Sequence, residues 1–176
     1  MIDPAYVRRM ARYNRWQNQN LFGVSDRLSD EERRRERGAF FGSIHNTLSH
    51  LMWADQIWMS RLTDMPAPKG GIPESVSLYP DWEALREVRA GLDDRIIDWA
   101  DRLDEASLAG DLTWYSAAAK RELGTPKWLL VTHMFNHQTH HRGQAHACCS
   151  ILTGSEPPSL DLLAFQRGVP APELRL

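Results

Sequence analysis

One stretch in the C-terminal third of the chain constrains the fold more than any other. Thr125 can cap a helix whose first position is Pro126, and Gly154 follows its end, so the segment between them reads as one long helix. Five of the seven histidines lie inside it: His133, His137, His140, His141 and His146. A helix turns about 100° per residue, so with His133 at zero His137 falls at about 40° and His141 at about 80°. Leu130, Met134, Ala145, Cys148 and Ile151 occupy the same arc of about 120°. An apolar arc is the face a helix turns toward a core. Whatever packs here must therefore bury the apolar residues and satisfy two imidazoles at once.

The rest of the chain supplies helices to do so. Asp3 and Pro4 cap and start a helix running to about Val24, whose mixed stripe includes Tyr6, Met10, Tyr13, Trp16 or Gln17, Asn20 and Leu21. Ser29 caps a short helix opening on Asp30-Glu31-Glu32, acidic residues that suit the positive end of the helix dipole. A second long helix spans about Ser43 to Thr63, and Met65 to Pro73 breaks it with prolines and glycines. The third follows the cap Asp81 and runs to about Glu105, with Leu85, Val88, Leu92, Ile96, Trp99 and Leu103 facing inward. Leu112 to Tyr115 and Ala119 to Leu123 suggest a small hairpin or irregular loop. The tail holds Pro157, Pro158, Pro170 and Pro172, and its apolar patch from Leu160 to Phe165 is expected to pack back on the helices. With 176 residues and no repeat, the pattern predicts one all-α domain over residues 1–176, a four-helix bundle with a short insertion before the last long helix.

Histidines at i and i+4 on one face converge readily on a single metal ion. The zinc-protease signature uses that spacing with a glutamate after the first histidine. Here that position is Gln138, so the general base is missing and protease chemistry is excluded. Two protein ligands rarely suffice for a metal. The second long helix offers His45, His50 and Asp55, and pattern alone leaves the three open. Asp55 shares the apolar arc of Ile44, Leu48, Leu51 and Met59, as ligand, as a partner to a ligand, or as a carboxylate hydrogen-bonded across the core.

The segments His50-Leu51-Met52-Trp53-Ala54-Asp55-Gln56-Ile57-Trp58 and His133-Met134-Phe135-Asn136-His137-Gln138-Thr139-His140-His141-Arg142-Gly143-Gln144 resemble the DinB family of damage-inducible bacterial proteins. Tyr13-Asn14-Arg15-Trp16-Gln17-Asn18 is similar to the family's opening helix. The resemblance implies a bundle of up-down-down-up order with a long crossover. It implies a metal triad carried here by His50, His137 and His141, usually holding zinc or nickel, and often a homodimer. His140 and Gln144, at the edge of the inward arc, are candidates to orient a ligand. Arg142 faces away from the ligands and is expected to pair with the first helix or across a dimer interface. Gly143 is expected to permit close helix approach, and His146 to lie at the surface.

Composition sets the outer limits. Net charge is −2 with a pI near 6.4, so there is no basic excess for nucleic acid. Arg33, Arg34, Arg35 and Arg37 sit beside Asp30, Glu31, Glu32 and Glu36, which largely cancel their field, and read as a solvated face. No signal-peptide core and no membrane-spanning run is present, so a cytoplasmic protein with no membrane partner is expected. Adjacent Cys148 and Cys149 point apart on a helix and are expected to be buried or free thiols, packing residues rather than a catalytic cysteine. Three histidines on a metal leave a position for water or a thiol, whose pKa the ion lowers. The family resemblance implies thiol transfer or thiol-dependent isomerisation. The leading expectation is a transferase joining a low-molecular-weight thiol to a small electrophile. The alternatives are a metal-dependent hydrolase and a non-enzymatic stress-induced metal-binding protein.

Overall fold

The computed structural model describes residues 2–116, 119–154 and 157–171; Pro172 lies outside them. The chain is mostly helical with one two-stranded sheet: α1 (Pro4–Ser25), α2 (Asp30–Arg34), α3 (Ile44–Leu62), α4 (Ile72–Ser75), α5 (Trp82–Arg102), α6 (Glu105–Leu108), β1 (Asp111–Ser116), β2 (Arg121–Pro126), α7 (Lys127–Thr153) and α8 (Leu162–Gln166). The starts follow the predicted chemistry. Asp3, Ser43 and Asp81 each accept a backbone N–H three residues on, and Ser29 and Glu32 cap one another reciprocally. Gly154 ends α7 in the left-handed region at φ 61°, where a side chain would be strained.

The insertion is a hairpin, with Trp114 opposite Leu123 and Asp111 opposite Pro126. Its second strand absorbs Thr125, so α7 starts one residue later than predicted and Pro126 stands at its cap. Side-chain partners fix the helix directions. Arg12 pairs with Asp101 while Trp82 donates to Asp26, so α1 and α5 are antiparallel. Trp58 packs on His133 and His50 on His137, so α3 and α7 are antiparallel. Asn18 meets Arg142 and Ser25 meets Cys149, so α1 and α7 are parallel. His45 packs on Trp82 and Asp55 on Arg89, so α3 and α5 are parallel, joined by the crossover containing α4.

The core holds Leu21, Phe22, Leu48, Met52, Leu85, Ile96, Met134 and Ala145. At its centre sits a charged network. Arg89 donates to Asp55 at 2.8 Å and to Asp93 at 2.7 Å. Asn18 donates to Asp93, Gln138 to Asp55, and Arg142 donates to Asn18 at 2.9 Å. All four long helices contribute. Burial raises the Asp55 and Asp93 carboxyls, and the two guanidiniums act in the opposite sense.

The buried residues of α7 are Leu130, Val131, Met134, Phe135, Gln138, His141, Arg142, Ala145, Cys148 and Cys149. Their arc is centred about 70° beyond the predicted one, because packing against α1 turns Gln138 and Arg142 inward. Ile151 is consequently 69% exposed. Arg142 pairs with the first helix, one of its two expected partners, and does so as a buried side chain. Gly143 approaches no helix, since a Cβ there would meet nothing within 4 Å. Val88 is exposed, displaced from the core by Arg89. Arg33 is buried, its guanidinium 4.6 Å over Trp82 and donating to the Ser25 and Leu28 carbonyls, so the arginine cluster is not wholly a solvated face. His146 is half-buried and bonds the Pro158 carbonyl. The tail does fold back: Phe165 packs on Tyr13 and Trp16, and Trp16 donates to the Val169 carbonyl at 2.8 Å. Cys148 and Cys149 are buried and free, with burial raising Cys149 to about 11.

Removing one member of the buried network strands the charge of another. Arg89→Ala is expected to cost about 3–5 kcal/mol in urea unfolding; a loss under about 1 kcal/mol would show that the pairing contributes little.

Candidate metal centre

Helix α3 supplies His50, and α7, antiparallel to it, supplies His137 and His141. One nitrogen from each lies within 4.8 Å of the others. Their rings meet edge to face, with centroids 5.3 Å apart for His50 and His141 and 4.6 Å for His137 and His141. The Nε2 atoms of His50 and His137 face each other at 3.4 Å.

Counting hydrogens defines what the cluster presents. Ser75 Oγ donates to the Ile72 carbonyl at 2.6 Å, so toward His50 Nδ1, 2.7 Å away, it can only accept. His50 therefore carries its proton on Nδ1 and turns a lone pair inward on Nε2. His141 Nδ1 stands 2.9 Å from Gln144 Oε1, an acceptor, so this ring also keeps Nε2 as its lone-pair nitrogen. His137 Nδ1 is buried with no hydrogen-bond partner among the described residues. The cluster is thus a set of inward lone pairs with few internal donors to satisfy them.

Its electrostatics agree. Burial, then the neighbouring His141, lowers His50 to about 4. Burial and the surrounding histidines lower His137 to about 3. His141 is lowered mainly by burial, opposed by its bond to Gln144. All three are neutral at pH 7, the form that ligates metal. Neutral imidazoles of borderline softness fit zinc, nickel, copper or iron. Among the described residues no carboxylate joins the group.

Aromatic rings wall the cluster. Phe41 stacks on His50 with centroids 3.9 Å apart, and Phe40 leans on His141 while remaining 73% exposed. Gly42, at φ 81°, turns the chain sharply after them. His133, exposed beside His137, contacts Trp58 and marks the open side.

A family model described as the DinB family matches residues 1–173. The chain belongs to the DinB family. No curated protein matches it. Family membership and the three-histidine cluster together fit a metal-binding DinB protein.

The structure separates the residues that pattern left open. His45 is buried, but its Nε2 bonds the Tyr79 carbonyl at 2.8 Å, away from the cluster. Asp55 is committed to Arg89 and Gln138, the hydrogen-bonded core carboxylate among its three possible roles. Gln144 bonds His141 and also reaches His140 at 3.4 Å, so both stand beside a candidate ligand. Sequence reasoning missed Ser75 and Phe41. Proline and glutamate beside Ser75 suggest a helical turn, but nothing local indicates that it reaches His50 across the crossover.

His137→Ala and His141→Ala are expected to abolish stoichiometric metal in untagged protein, and His50→Ala to weaken it strongly, while His45→Ala retains it; elemental analysis decides. Ser75→Ala is expected to weaken metal affinity by about 10- to 100-fold, because the Nδ1 proton loses its acceptor. Acidity should also act on the metal-free protein. Below pH 6.5 the unfolded chain protonates His50 and His137 while the folded chain refuses the protons until about pH 4 and about pH 3. Stability is therefore expected to fall as pH drops from 7 to 4. Thermal melts should show this fall, and His137→Phe should make it shallower; equal slopes in both proteins would contradict the assignment.

Proposed function

We propose that this chain is a metal-dependent transferase that activates a small thiol for attack on an electrophile, with His50, His137 and His141 holding a divalent transition metal. The observation that carries the reading is the set of three neutral imidazoles whose lone pairs converge, with no carboxylate among them. A divalent cation at such a site supplies Lewis acidity that favours the thiolate over the thiol.

The surrounding residues support that chemistry. Ser75 and Gln144 hold two of the rings in the tautomer that presents Nε2. Phe41 and Trp53 keep water from one side of His50. His133, on the open side and with no hydrogen bond to a described residue, is placed to take the proton an incoming thiol releases. Hydrolysis would need a general base near the centre: Asp55 is spent on Arg89 and Gln138, which leaves a spare histidine such as His133 for that role. Hydrolysis is therefore the second reading, and activity without added thiol would favour it.

We also read the four long helices as a bundle of up-down-down-up order, supported by the antiparallel α1–α5 and α3–α7 pairs and the parallel α1–α7 and α3–α5 pairs. A cytoplasmic homodimer is part of the same reading. Among the described residues no helix is long and apolar enough to cross a membrane.

Zinc- or nickel-loaded protein, offered a panel of small thiols with 1-chloro-2,4-dinitrobenzene, is expected to form the thioether with release of chloride. His137→Ala should remove the enhancement, and His133→Ala should leave metal content intact while shifting the acidic limb of the rate profile. Absence of metal-dependent conjugate with every thiol, in protein that retains its metal, would overturn thiol transfer while leaving the metal site standing.

A further inference from the structure

A cleft of about 870 Å³ opens where the C-terminal ends of α3 and α5 meet α6, β1 and the start of α7. It contains none of the three clustered histidines. Val131, on its wall, lies six positions before His137, about 9 Å along α7. Met59 lies nine positions after His50, about 13 Å along α3. The cleft is therefore a separate feature of the molecule.

Its lining has two parts. Leu62, Leu103 and Leu112, each half-buried, provide an apolar floor over the buried Met59, Trp99 and Leu108. Arg61, Arg95, Arg102 and Lys127 stand against Asp64 and Asp98, so the cleft carries a net positive charge in a chain whose net charge is −2. Arg61 is the most telling of these. Its guanidinium lies 4.6 Å over the Trp58 ring and 5.3 Å from that of Trp114. Burial lowers its pKa, and no neighbouring charge acts to raise it. Among the described residues it has neither a hydrogen bond nor a carboxylate partner. A position in the last turn of α3 accounts for a positive charge there. It does not account for a half-buried guanidinium set beside two indoles that stand 75° to one another, with its donors unspent. A planar fork in that state is suited to a carboxylate.

We propose that this cleft is a second ligand site, taking a small organic anion with an apolar tail, its carboxylate on Arg61 and its tail on the floor around Leu62, Leu103 and Leu112. Arg102 and Lys127 add long-range attraction, and the apolar floor distinguishes the ligand from a bare inorganic anion.

The test uses decanoate and decan-1-ol as probes against the full chain, by calorimetry and by quenching of tryptophan fluorescence. Decanoate should bind saturably, one per chain, and at least about tenfold more tightly than the alcohol. Arg61→Ala should remove that preference, and Arg102→Ala with Lys127→Ala should weaken decanoate and flatten its salt dependence. His137→Ala should leave decanoate binding unchanged. The proposal is overturned if binding is not saturable, if the alcohol matches the acid, or if His137→Ala abolishes binding, which would place the ligand at the histidine cluster. Should Arg61→Ala not fold, the acid-to-alcohol ratio and the Arg102, Lys127 pair still decide.

Discussion

Arg89, Arg142, Asp55 and Asp93 are buried together, and the positions of the four long helices follow from how their charges are matched. An ion taken out of water costs several kcal/mol unless its partners are close and well oriented. Here Arg89 reaches both carboxylates, Asn18 and Gln138 take remaining positions on them, and Arg142 is held by Asn18. Sliding any one helix by a turn would separate these groups and leave a charge unpaired. Apolar packing alone tolerates many registers; this network tolerates few.

The histidine cluster inherits its geometry from that constraint. Gln138 follows His137, and Arg142 follows His141. Turning Gln138 and Arg142 to the centre of the molecule places each preceding histidine about 100° away, at the edge of the buried arc facing α3. Asp55 on α3 meets Gln138, and His50, five positions earlier, then falls opposite His137 and His141. The edge position has a chemical consequence. The rings are desolvated enough to stay neutral, as a ligand must, yet His133 and Phe40 beside them remain exposed, so the cluster stays open on one side. A cluster at the centre of the core would bind metal and exclude everything else.

Much of this was legible in the chain itself. Caps at Asp3, Ser29, Ser43 and Asp81 and the glycine stop at Gly154 are local interactions between near neighbours, and the helices begin and end close to where those residues stand. The i, i+4 spacing of His137 and His141 is equally local. The choice of His50 over His45 and Asp55 came from family resemblance, because all three residues lie on the same helix and periodicity cannot say which one a distant helix will face.

The sequence by itself therefore determined the long helices, their approximate limits and a pair of imidazoles able to share an ion, and left the insertion open between a hairpin and an irregular loop. Only the tertiary structure decided which face of each helix is innermost. A polar residue off the apolar arc reads as exposed until its partner is known, and the partners that Arg89 and Arg142 find on other helices lie 34 or more residues away. For the same reason Val88 and Ile151, apolar and in phase with their helices, stand at the surface: the inward positions are taken by Arg89, Gln138 and Arg142, whose partners lie across the core.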